Sequence, residues 1–102
     1  MRKAEVRVHS ITAGILEVHD SGRRFCFVYD PDYEGPPISL TLPKTCSRYE
    51  FNAFPPFFDG LLPEGPQLEA LLKQNKIDRN DFFSQLVAVG QDMVGAVTVH
   101  EI

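Results

Sequence analysis

The chain has 102 residues, 43% of them hydrophobic and 24% charged, with a formal net charge of −4. That size and apolar content suit one domain, residues 1–102, with a single core that needs neither metal nor disulfide support. The acidic balance argues against nucleic acid as a partner. The lack of a long apolar run and the charged opening MRKAEVRVHS argue against a membrane span or a signal peptide, so the expected compartment is the cytoplasm.

In AEVRVH, Ala4, Val6 and Val8 alternate with Glu5, Arg7 and His9, the period of a half-buried strand. AGILEVHD repeats the pattern with Leu16 and Val18 on one face, and Asp20-Ser21-Gly22 supplies a turn. RRFCFVYD follows, with Phe25, Phe27 and Tyr29 on one face and Cys26 and Val28 on the other, a strand covered on both sides. PDYEGPP is a loop by its Pro and Gly content. ISLTLP predicts a fourth strand with Ile38, Leu40 and Leu42 inward, and residues 45–53 read as polar and irregular.

The next segment, FPPFFDG, has room for one helical turn, opened by Pro56 and ended by Gly60. Pro63 stops anything longer. A helix is expected from Pro66 to about Asn75, with Leu68, Leu71 and Leu72 on one face and a Glu69–Lys73 pair. Asp78 is the expected N-cap of a second helix carrying Phe82, Phe83, Leu86 and Val87, which Gly90 terminates. GAVTVHEI closes the chain as a strand. Tight turns between successive strands predict an α+β fold: a small curled antiparallel sheet or partial β-barrel, with two to three short helices inserted before a last strand that pairs with the first.

Catalytic and metal chemistry find little support. His9, His19 and His100 fall at outward positions or strand ends; pairing of the outer strands would bring His9 and His100 near each other, still without a third ligand. Cys26 reads as a small buried hydrophobe and lacks C-x-x-C spacing to Cys46; a disulfide between the two is the alternative, disfavoured in a reducing compartment. No serine lies in a G-x-S-x-G turn. GQDMVG lacks the Lys-Ser/Thr of a phosphate loop and reads as a helix-to-strand turn. Asp30/Asp32 and Asp78/Asp81 are explained by loop and cap roles. No cofactor, metal or catalytic residue is expected.

What remains is the stretch FPPFFDGLLPEGPQLEALL. From Tyr49 to Leu72 the acids Glu50, Asp59, Glu64 and Glu69 stand without a single base. Phe57, Phe58, Leu61 and Leu62 are expected to roof the open end of the barrel. Asp59, Glu64, Gly65, Pro66 and Gln67 lie between proline-limited segments, where a short loop is held rigid at the surface. These five are the candidate partner-binding residues.

PISLTLP, FPPFFDGLLPEGP and FFSQLVAVGQDMVGAVTV, in this order and spacing, resemble the N-terminal subdomain of HipA-type serine/threonine kinase toxins, over nearly the whole chain. The resemblance implies a small β-barrel-like subdomain that stands before a kinase body. The residues that bind ATP and metal and the catalytic Asp of such kinases have no counterpart here. Beginning at Met1 and ending after one short strand, the chain resembles stand-alone HipS-type antitoxins. Such proteins imply a HipA/HipT-like kinase toxin as partner and a HipB-like DNA-binding protein in a ternary complex. The alternatives are a non-catalytic fragment of a longer HipA-like kinase and a small nucleic-acid-binding barrel.

Overall fold

A computed structural model of the protein describes residues 2–90 and 96–102. Three strands open the chain: β1 (Arg2–Val8), β2 (Ile11–His19) and β3 (Arg24–Tyr29), with one 3-10 turn, Asp20–Gly22, between the last two. After a long loop come β4 (Arg48–Phe51), helices α1 (Pro56–Asp59), α2 (Gly65–Asn75) and α3 (Phe82–Val89), and β5 (Val97–Glu101). The strands form one antiparallel sheet in the order β4-β3-β2-β1-β5. Last and first strands pair as expected. The sheet stays open, with β4 and β5 as opposite edges.

Alternation assigns the faces. Leu16 sits opposite both Ala4 and Phe27, and Phe27 opposite Tyr49, so one inward row crosses four strands. Val6 meets Val99 on the other side of β1. Phe58 of α1 and Phe83 and Leu86 of α3 close this face and complete the core. Between Val6 and Arg7 the register slips around Ala13, a bulge that leaves Ala13 and Gly14 both buried. A Cβ on Gly14 would lie 2.3 Å from the Val28 carbonyl oxygen and 2.7 Å from the Phe27 ring, so this crossing requires glycine. The β1–β2 turn runs through His9 and Ser10, both at positive φ (50° and 69°), the geometry that matches strand twist in two-residue hairpins. His9 N–H donates to the Ala96 carbonyl at 2.9 Å, tying this turn to the start of β5. His100 is paired with Glu5 in the ladder, four positions along β1 from His9, so the two histidines are not neighbours.

The expected fourth strand at 38–43 is absent. Ile38 and Leu42 are buried as anticipated, but Leu40 is 98% exposed. Pro36, Pro37 and Pro43 cannot donate to a ladder. The backbone is satisfied instead by a side chain: the Tyr29 hydroxyl accepts from Ile38 N–H at 3.0 Å and donates to the Leu42 carbonyl. Strand β4 falls in the segment read as irregular. Tyr49 and Phe51 are half-buried there and alternate with exposed Arg48 and Glu50.

Two helix details also differ. The α3 N-cap is Asp81, whose carboxylate accepts from Ser84 N–H (3.1 Å) and Ser84 Oγ–H (2.7 Å). Asp78, the expected cap, accepts from Asn80 N–H in the preceding turn. Glu69 pairs with Arg79 and not with Lys73. Gly90 ends α3 as expected, and a Cβ there would lie 2.0 Å from the Val99 carbonyl oxygen, so glycine lets α3 approach β5. The rest of the GQDMVG turn lies outside the described residues.

Both cysteines are free, Cys26 buried and Cys46 exposed. Burial pushes the Cys26 thiol pKa up, as expected for a small hydrophobe. No helix among the described residues is long and apolar enough to cross a membrane.

Candidate functional site

The segment from Phe54 to Gln67 winds tightly because prolines restrict it. Pro55 is extended and Pro56 starts α1 at a position where the missing N–H costs nothing. Backbone bonds Asp59→Pro55, Gly60→Pro56, Leu61→Phe58 and Leu62→Asp59, at 3.0 to 3.1 Å, continue the winding. This sends Phe58 into the core, where it packs on Phe27 and Phe57 (centroids 5.9 and 5.1 Å). Phe57, Leu61 and Leu62 are half-buried against the same core. The expected roof forms, over an open sheet and not a barrel mouth.

The five candidate residues are all exposed. Asp59 ends α1. Glu64 occupies the N-cap position of α2 without a side-chain cap bond, and Gly65 takes φ 58°, a left-handed conformation that favours glycine. Pro66 and Gln67 form the first turn. Asp59 and Glu64 line one hollow of about 240 Å³, together with Leu62, Leu68, Phe82 and Gln85; Gly65, Pro66 and Gln67 lie outside it.

Helix α2 beside this hollow buries no residue. Its Leu68, Leu71 and Leu72 are half-buried, and it ends at Lys76 in the left-handed region (φ 53°), whose N–H caps the Leu72 carbonyl. Two polar contacts hold this region: the Arg79–Glu69 ion pair, midway along α2, and, in the turn after the helix, the buried amide of Gln85, whose Nε2 donates to the Asp78 (3.2 Å) and Arg79 (2.9 Å) carbonyls. Sequence reasoning missed Gln85, because a glutamine between apolar helix residues carries no signal of which carbonyls will fold over it.

A second cleft, about 980 Å³, opens at the β2–β3 turn, with Arg2, His19 and Arg23 beside Phe25, Phe54 and Phe82. Its walls come from four separated segments, so nothing in linear sequence points to it. At its edge Arg2 donates to both Glu101 carboxylate oxygens (2.7 and 3.0 Å) and to Ser84 Oγ (2.7 Å), with its guanidinium 4.7 Å from the Phe83 ring centre. The bonds to Arg2 hold the Glu101 carboxyl below the ordinary glutamate range. On the outer sheet face, hydrogen bonds from Thr12 and Arg7 do the same for Glu5. Arg2, Arg7, Arg24 and Arg79 each lie against a carboxylate. Among the described residues no three His, Cys, Asp or Glu side chains converge on a metal-sized site.

An open antiparallel sheet backed by three short helices, with the last strand joining after the helices, is a small α+β domain. Residues 4–100 match the family described as the HipA N-terminal domain, and the chain belongs to that family. An uncharacterised protein of Haemophilus influenzae is 34% identical over 101 residues, which is 99% of this chain and 93% of the relative. A protein of Sinorhizobium fredii described as putative kinase Y4dM is 34% identical over 105 residues, 94% of this chain but only 26% of that protein. Among solved structures, an N-terminal domain of HipA toxin superposes with TM-score 0.78 at 30% identity, over 100% of this chain and 93% of that one. A chain from the Shewanella oneidensis HipA, HipB and operator DNA complex superposes with TM-score 0.74 at 23% identity, over 95% of this chain and 23% of that one; it supports the fold alone.

Proposed function

We propose that this domain is a non-catalytic antitoxin that neutralises a HipA/HipT-like serine/threonine kinase by docking on it in the cytoplasm, with a HipB-like DNA-binding protein as third member of the complex. The observation that carries the reading is the putative kinase relative, in which a 34% identical stretch makes up 26% of a longer chain. A domain built to sit against a kinase body within one chain has a face suited to the same body across two chains. Asp59 and Glu64 to Gln67 are the residues assigned to that face, being exposed, held by prolines and unused by the core.

Co-expression with the kinase tests this. Replacing Glu64 and Gln67 by Arg reverses one charge and adds another, which weakens a complementary interface by several kcal/mol where both residues are central and little where they lie on its rim. The variant is expected to melt like wild type yet fail to rescue growth. Phe58→Ala is the contrast, since it empties the core and lowers stability by about 3–5 kcal/mol. Full rescue by the loop variant at native expression moves the interface elsewhere.

The same relative also favours a second reading, in which the domain works as the covalent N-terminal part of a longer kinase. The length of the natural reading frame and the identity of the neighbouring genes separate the two.

A further inference from the structure

We infer that β4 is a docking edge for a second copy of this chain: the β4 strands of two protomers pair antiparallel about Tyr49, so that Arg48 of each faces Glu50 of the other and the two sheets become one. The inference goes beyond the proposed antitoxin role and does not depend on it.

The ladder decides which backbone groups are available. Tyr29 N–H donates to the Ser47 carbonyl at 2.8 Å, so in the β3–β4 register Tyr29–Ser47, Phe27–Tyr49 and Phe25–Phe51 are the pairs that exchange hydrogen bonds. The N–H and C=O of Arg48 and Glu50 therefore point away from β3, on the side where β4 has no neighbouring strand. Among the described residues the one group bonded to them is the Cys46 thiol, a weak donor, on the Arg48 carbonyl at 3.0 Å. The opposite edge is covered: the Val99 N–H of β5 is taken by the Gly90 carbonyl of α3 at 3.0 Å.

Exposed charges are the usual guard of a bare edge. Arg48 and Glu50, opposite in sign and two residues apart, guard against every pairing of two copies but one. An antiparallel pair centred on Arg48 sets that arginine against itself, and one centred on Glu50 sets two carboxylates together; like charges directly opposite repel. Centred on Tyr49, each outward backbone meets an outward backbone and each base meets an acid. Arg48 is available for this, since no ion pair among the described residues uses it. Glu50 accepts from Arg24 through one carboxylate oxygen (3.2 Å) and keeps the other for Arg48 of the second copy. On the face that packs against the core, the same register brings the two half-buried Tyr49 side chains together and sets each Phe51 opposite Ser47, which adds apolar cover to both. Four residues make a short seam, so the dimer belongs to the weak, exchanging class.

Sedimentation velocity and amide NMR on the full chain, from about 10 μM to about 1 mM, test the pairing. The dimer fraction is expected to rise with concentration. The Arg48 and Glu50 amides should shift and gain protection from solvent exchange, while the Tyr49 and Phe51 amides, already bonded to β3, keep theirs. Arg48→Glu and Glu50→Arg should each melt like wild type, because exposed charges add little to the fold, yet associate roughly tenfold more weakly. Their equimolar mixture should recover wild-type association, since every acid of one chain then faces a base of the other. A wild-type protein that stays monomeric throughout overturns the inference. So does a dimer whose Arg48 and Glu50 amides remain unprotected, or a mixture that associates no better than its components.

Discussion

Tyr29→Phe removes one oxygen atom and tests why residues 38–43 avoid the sheet. The Tyr29 hydroxyl accepts from Ile38 N–H at 3.0 Å and donates to the Leu42 carbonyl. The ring itself is held independently, packed edge-on against Phe27 at 4.9 Å and stacked on Tyr33 at 6.3 Å. Phenylalanine keeps those contacts and strands one donor and one acceptor beside buried Ile38 and Leu42. Each stranded group costs about 1–3 kcal/mol when it stays buried. The loop's exposed middle, Leu40 and Thr41, lets it relax partly toward water, so the expected loss is about 2–3 kcal/mol. In a domain of this size that lowers the melting temperature by roughly 4–8 °C for each kcal/mol. Tyr33→Phe is the control: it loses a single bond to the Pro36 carbonyl (2.6 Å), worth about 1 kcal/mol. Urea melts give the energies, and amide exchange at Ile38 should accelerate only in the Tyr29 variant. A Tyr29 variant within about 0.5 kcal/mol of wild type, with Ile38 exchange unchanged, would refute the reasoning and assign the loop to its prolines and two apolar anchors.

Gly90→Ala should destabilise by about 1–3 kcal/mol or more, since the new methyl group meets the Val99 carbonyl at 2.0 Å and must push α3 from β5; an unchanged urea midpoint contradicts that packing. Acid should weaken the fold through Glu5 and Glu101, whose carboxyls are held below the ordinary range by Thr12 and Arg7 and by Arg2. Depressed folded-state values stabilise above the unfolded pKa of about 4.3, and that contribution is lost as pH falls through the folded values. Glu5→Gln/Glu101→Gln should therefore be less stable near neutrality and lose less on acidification; parallel stability curves for variant and wild type exclude these two groups as the cause.

What sequence reveals here follows periodicity, and what it hides follows tertiary bonding. Ala4, Val6 and Val8, and Phe25, Phe27 and Tyr29, alternate cleanly and lie where alternation puts them, because an inward face has no other way to leave water. Ile38, Leu40 and Leu42 alternate equally well, yet only two of the three are buried. A partner from β3, Tyr29, satisfies the backbone that a neighbouring strand would have paired, and no local pattern announces it. The short β4 was obscured for the opposite reason: Arg48, Glu50 and flanking polar residues mask Tyr49 and Phe51. The β1–β2 turn lacks the Asn-Gly that such geometry favours and uses His9 and Ser10. At the candidate site, proline and glycine positions made the exposure of Asp59 and Glu64 to Gln67 legible. The hollow itself was not, because Phe82 and Gln85 reach it from α3, across the α2–α3 turn.

The division between core and candidate face has a physical consequence. Phe58, Phe83 and Leu86 tie α1 and α3 to the sheet, whereas α2 contributes no buried residue and leans on an exposed ion pair and one buried amide. An exposed ion pair adds little, and an isolated 11-residue helix is marginal in water. The Gln85 nitrogen fixes the turn that follows α2, through the Asp78 and Arg79 carbonyls. The candidate partner face can therefore change its side chains widely while the sheet keeps its stability.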